Sequence, residues 1–266
     1  MKNQKVARIF IVVLILFSFS SLIIDSQINA KKRDLDMVYI GDSITEGSKP
    51  EEAPPATASE YLRRQSGIGS VDFLNQGRSG FTTVDFLPSD SGALSEVIAA
   101  TRLLHKDSRR LLVFSVSLGT NDSAEKGPNG SPVNPGAYQK NLESIADKLL
   151  SEFPDCKIFL QQPIWYSPNT YNSSRYMEEG LARLKSYFPE LKSLVKKYSQ
   201  TRPGHVFTGD QKGFEYFRTN YLTDLYPEKG QAGTFYLHPN KQGSAVLGSF
   251  WGEAIHKGLM NNKGSF

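Results

Sequence analysis

The chain has a single cysteine, Cys156, among 266 residues. One thiol excludes an intramolecular disulfide and a cysteine-based zinc site. Lying just ahead of an apolar stretch, it reads as a buried filler. Histidine is scarce too, with four, and no His/Asp cluster has the spacing of metal ligands, so no metal is expected. There is no Gly-x-Ser-x-Gly nucleophile elbow, which argues against an α/β-hydrolase. No Walker or dinucleotide fingerprint occurs, and no cofactor is expected. No basic cluster with interleaved aromatics is present, so nucleic acid is not an expected partner. The formal net charge is +4, of which Lys2, Lys5 and Arg8 against Asp25 contribute +2.

A long apolar run is also missing. Residues 9–24 are apolar apart from three serines, but 16 residues fall short of the ~20 that a spanning helix needs. Basic residues precede this run and a polar stretch ending in Ala30 follows it. That is the order of a secretory signal peptide. The expectation is a signal peptide over residues 1–30, cut after Ala30 despite the bulky Ile28. The mature protein would be secreted or periplasmic, with no stable membrane insertion once the leader is gone. Residues 31–266 contain no linker or repeat that would divide them, and 39% hydrophobic with 22% charged residues is a globular composition.

Within that domain short apolar runs alternate with helical periodicity. Strands are expected at 36–40, 71–74, 111–118, 157–160 and 206–208. Helices are expected at 57–65, 92–104 and 135–153, the last opened by Asn134-Pro135. Residues 177–199 read as helical but broken or kinked at Pro189. Residues 209–233 read as irregular apart from a helix near 214–220, and a final helix reaches residue 259. The alternation predicts right-handed βαβ crossovers and a mostly parallel sheet covered on both faces.

Three of these strands end in polar loops: Gly41-Asp42-Ser43, Gly77-Arg78-Ser79-Gly80 and Gly119-Thr120-Asn121-Asp122. In an open α/β sheet such ends share one edge, where ligands bind. Among the histidines, His105 lies in a charged run and reads as solvated, His205 opens a strand, and His256 lies within a helix. Only His238, before Pro239-Asn240, sits in a loop ahead of a helix, where loops carry function. A hydroxyl, an imidazole and amide donors are the parts that acyl transfer needs.

In the order of these motifs the chain resembles the SGNH hydrolases, also called GDSL esterases or lipases, over most of residues 37–258. The resemblance implies a three-layer α/β/α sandwich around a five-stranded parallel sheet and a carboxylic ester hydrolase. It implies Ser43 as nucleophile and His238 as general base. The oxyanion hole would be the Ser43 and Gly80 backbone N–H groups and the Asn121 amide. The family usually has Asp three residues before this histidine, where this chain has Phe235. Three readings stay open. His238 works in a dyad, oriented by the Phe235 carbonyl, which is the favoured one; a carboxylate from the preceding loop, Asp224 or Glu228, reaches in; or the protein is an impaired, carbohydrate-binding relative.

The substrate is expected to be a small-molecule or glycan ester: the leading reading is a serine esterase that deacetylates a carbohydrate, the alternative a general short-chain lipase or esterase. Trp165, Tyr166, Tyr171 and Tyr176, beside Asn169 and Asn172, offer the aromatic faces and amides that suit a sugar ring, with Trp165 and Tyr166 as the leading binding candidates. The plainer reading is that these aromatics form a satellite core beneath their loop.

Overall fold

The computed structural model describes residues 32–261; the expected leader lies outside them. Strand β1 (Arg33–Gly41) is buried from Leu35 onward, and β3 (Leu111–Ser117) from Leu112. Two continuously buried strands of this kind, apolar apart from Asp36 and the β3 serines, are central strands covered on both faces. They lie side by side in a five-stranded sheet of order β2-β1-β3-β4-β5, every pair parallel. The edge strand β2 (Ile68–Gly77) is half exposed. On the other side come the short β4 (Lys157–Leu160) and β5 (Val206–Thr208). The chain leaves β1 for β2 and returns past β1 to β3, so the strand order reverses there. The crevice at the carboxyl ends of β1 and β3 is the switch point where such sheets bind ligands.

The helices are α1 (Ser43–Glu46), α2 (Pro54–Arg63), α3 (Ala93–Leu104), α4 (Pro135–Glu152), α5 (Met177–Thr201), α6 (Gly213–Asp224) and α7 (Lys241–Asn261). Helices α2, α6 and α7 pack together, as do α3, α4 and α5, giving the three-layer α/β/α sandwich. Local chemistry sets their ends. Asn134 accepts from the Ala137 N–H at 2.9 Å, and Pro135 fills the first helical position, where a missing N–H costs nothing. Among the described residues, no helix is long and apolar enough to cross a membrane.

Two expectations are corrected. The expected break in α5 is absent, since one helix runs continuously through Pro189. Proline has no N–H to donate to the Lys185 carbonyl, and the lost bond and ring clash cost about 3 kcal/mol. The buried stripe Leu181, Leu184, Tyr187, Leu191, Leu194 and Tyr198 outweighs it. Tyr187 alone stacks on Tyr138 at 4.0 Å and donates its hydroxyl to the Val133 carbonyl at 2.6 Å. Residues 209–233 are not irregular either. Helix α6 is followed by an antiparallel hairpin, β6 (Leu225–Gly230) and β7 (Gly233–Pro239). In β7, Phe235, Leu237 and Pro239 are buried while Tyr236 and His238 are half-buried, the alternation of a strand with one face on the core.

Candidate active site

Ser43 opens α1 at the end of β1. The Asp42 side chain caps this short turn by accepting from the Ile44 N–H at 2.9 Å. The turn packs against the loop after β2 so closely that a Cβ on Gly77 would lie 2.1 Å from the Glu46 nitrogen. Only glycine permits that approach. Gly80, three residues on, has φ +80 with no heavy atom within 4 Å of where a Cβ would be. Conformation rather than crowding demands glycine there, and the open space leaves its backbone accessible to a ligand.

His238 reaches Ser43 from the hairpin, with Nε2 at 2.9 Å from Oγ. Its Nδ1 lies 2.9 Å from the Glu228 Oε1, and the same oxygen accepts from the His238 backbone N–H at 3.3 Å. A carboxylate only accepts, so Nδ1 carries the proton and donates to Glu228. That leaves Nε2 to accept from the Ser43 hydroxyl. The favoured dyad with the Phe235 carbonyl is therefore corrected. Nδ1 is taken by Glu228, and the Phe235 side chain is buried. Glu228 is the ladder partner of Phe235. The other carboxylate candidate, Asp224, is buried and accepts from the Tyr216 hydroxyl at 2.6 Å; it serves α6, not His238.

The third strand end brings Asn121 to the same edge, in a single turn of 3₁₀ helix. Its Nδ2 donates to the Phe81 carbonyl at 2.9 Å, which joins the turn to the Gly80 loop. The next residue, Asp122, strengthens that joint by accepting from the Thr83 N–H at 3.0 Å and from the Thr83 hydroxyl. Burial pushes the Asp122 carboxyl up to about 7. Burial likewise pushes Asp42 up to about 6, against the opposing pull of the Ile44 N–H.

Trp165 and Tyr166 do not line the site. Trp165 is 7% exposed and Tyr166 0%. Trp165 packs on Tyr221 with ring centroids 5.2 Å apart, and the Tyr166 hydroxyl pairs with Ser123 Oγ at 2.8 Å. The loop after β4 is a platform for the hairpin instead. Asn169 donates to the Ala232 and Thr234 carbonyls, and the Tyr236 N–H donates to Ser167 Oγ at 2.8 Å. The amides expected to meet a sugar meet backbone. His105 is not a free surface group either, since its Nδ1 lies 2.7 Å from the buried Asp36 carboxylate.

Ser43, Glu228 and His238 line a cavity of about 340 Å³ together with Ser48, Ser79 and Tyr226. Sequence reasoning passed over Tyr226, although it is one of the few large apolar side chains left exposed among the described residues, at 40%. A larger cavity, about 630 Å³, lies at the opposite end of the sheet among Arg33, His105 and Lys157. Among its lining residues no hydroxyl pairs with an imidazole as Ser43 does with His238 in the smaller one. Among the described residues, no group of three or more His, Cys, Asp or Glu could hold a metal.

Solved structures share this architecture. An aryl esterase from M. smegmatis superposes with a TM-score of 0.55 at 14% identity, covering 84% of this chain and 99% of that one. A carbohydrate acetylesterase from Sinorhizobium meliloti gives 0.54 at 15% identity, covering 84% and 99%. A Geobacillus acetyl-xylooligosaccharide esterase, solved as a point mutant, gives 0.54 at 18% identity, covering 84% and 95%. At such identities the likeness establishes the fold, that of the SGNH hydrolases. A comparison with curated protein sequences gives no significant match. The family model described as the GDSL-like lipase/acylhydrolase family matches residues 39–246, a span holding all three strand-end loops and the hairpin. The chain belongs to that family and is a carboxylic ester hydrolase.

Proposed function

We propose that this chain is an exported serine esterase that removes short acyl groups, acetyl above all, from a carbohydrate. The observation that carries the catalytic reading is the relay of 2.9 Å contacts from Ser43 through His238 to Glu228. Ser43 Oγ attacks the ester carbonyl carbon as its proton passes to His238 Nε2. Glu228 holds the ring in the required tautomer and stabilises the imidazolium that forms. The carbonyl oxygen becomes an oxyanion, met by the Ser43 and Gly80 N–H groups and the Asn121 amide. Collapse of the intermediate breaks the C–O bond, and His238 returns its proton to the departing alcohol. Water then attacks the acyl-serine by the same route in reverse, releasing the acid.

The carbohydrate reading rests on the cavity. Its volume suits a short acyl group, its wall carries serine hydroxyls, and the exposed Tyr226 ring offers a flat apolar face beside them. A sugar has one such face and polar edges. Two of the solved relatives are named as carbohydrate or acetyl-xylooligosaccharide esterases, which supports the same class. The test is turnover of an acetylated oligosaccharide against simple acyl esters of rising chain length. Activity on the acetylated sugar, lost in Ser43→Ala with the fold intact, is expected. Preference for chains of about eight carbons or more, each buried CH₂ adding up to ~0.8 kcal/mol, would overturn the carbohydrate assignment in favour of a lipase. Export is read from the leader. Mass spectrometry should find the mature protein beginning near Lys31, and an intact leader in the membrane fraction would contradict it.

A further inference from the structure

We propose that Tyr176 is a positioning residue for the oxyanion hole, its hydroxyl locking the Asn121 amide so that one Nδ2–H stays aimed at the reacting carbonyl. The inference rests on the oxyanion role given to Asn121 above. A side-chain amide offers two N–H donors and one carbonyl acceptor. In Asn121 the carbonyl accepts from the Tyr176 hydroxyl at 2.6 Å, and one N–H goes to the Phe81 carbonyl. One donor remains. Because Phe81 can only accept and the phenol is held as a donor, the amide has one satisfactory orientation, tied at both ends.

The surroundings of Tyr176 are built for that contact. Its side chain is 3% exposed and packs edge-on against Tyr166 with ring centroids 5.4 Å apart. Tyr166 in turn holds Ser123, so neighbouring rings of one loop grip both ends of the Asn121–Ser123 turn. Burial drives the Tyr176 phenol well above its ordinary value, which keeps it protonated. Immediately after it, Met177 has φ +56, alone among the described non-glycine residues in having a positive φ. The Tyr176 and Met177 N–H groups both donate to the Thr170 carbonyl. A left-handed non-glycine residue is strained and persists only where its neighbours over-determine it. Here the strained residue adjoins the one that reaches the site.

The experiment is a double-mutant cycle read in kcat and KM. Asn121→Ala should lower kcat by ~10²–10³, as loss of an oxyanion donor does. Tyr176→Phe, which removes one oxygen atom, should lower kcat by about tenfold and leave KM within about twofold. Introduced into Asn121→Ala, it should cost less than a further twofold, because its only route to the reaction is gone. The same tenfold loss in both backgrounds, or wild-type kcat in Tyr176→Phe, would overturn the positioning role. Wild-type kcat in Asn121→Ala would instead overturn the oxyanion reading beneath it. If Tyr176→Phe does not fold, 3,5-difluorotyrosine at 176 keeps both shape and hydroxyl. Its more acidic phenol should add an alkaline fall in kcat as the donor ionises, and an unchanged pH profile would count against the proposal.

Discussion

At the scale of single residues, the site turns on a carboxylate that linear spacing hides. Glu228 is ten residues from His238 along the chain and 2.9 Å from it in space. Glu228→Gln keeps the size but not the charge, and kcat should fall by on the order of 10²–10⁴, as loss of a triad acid does. Asp224→Asn should leave kcat near wild type and lower Tm, because its partner is Tyr216. Steady-state kinetics and thermal melts on both variants decide between them; equal kinetic losses would remove Glu228 from the relay. Ser43, Gly80, Asn121 and His238 were legible because each follows or precedes a turn signal at a strand or helix end. Glu228 was legible only as one of two nearby acids, since the register that chooses between them belongs to the ladder and not to the chain.

At the scale of elements, most helices and strands follow from periodicity and capping. The hairpin does not. Its strands are short, and its Gln231-Ala232 turn carries no Asn-Gly or Asp-Gly signal. The aromatic loop after β4 misleads for a related reason. Tyrosine and tryptophan suit a sugar face and an inner packing layer equally well, and only burial separates the two. Trp165→Ala should therefore destabilise the fold by about 3–5 kcal/mol, as large aromatic deletions do. Denaturant titration should show that loss, with KM in the remaining folded enzyme close to wild type. A large rise in KM without loss of stability would return Trp165 to the substrate site. In α5, the exposed Pro189→Ala should restore the bond to the Lys185 carbonyl. It should raise stability by up to about 3 kcal/mol, seen as a higher denaturant midpoint at unchanged slope.

At the scale of the whole molecule, the parallel sheet collects the loops of separate strands on one edge, and that much follows from the alternation of β and α segments alone. The same gathering buries carboxylates beside the nucleophile. Asp42 titrates near 3.8 in a free chain and is pushed up to about 6 here. Between these values the folded state holds the proton that the unfolded state has lost. This contribution to stability is therefore present below about pH 4 and is lost as pH rises through 6. The difference is about two units, or up to about 3 kcal/mol. Asp42→Asn keeps an oxygen for the Ile44 N–H and cannot ionise. Unfolding free energies at pH 4.5 and 7.5 should fall more steeply for wild type than for the variant. Parallel slopes would show that Asp42 does not retain its proton.

The placement of Glu228 opposite Phe235 has a consequence for how such enzymes drift. Glu228 and His238 ride on one hairpin, and their meeting depends on a two-residue connection acting as a phase marker. One residue inserted at 231–232 would preserve every side chain named above, and any search for their motifs would still succeed. The pairing would nevertheless slip by a step and turn Glu228 to the opposite face, leaving an intact vocabulary with its grammar undone.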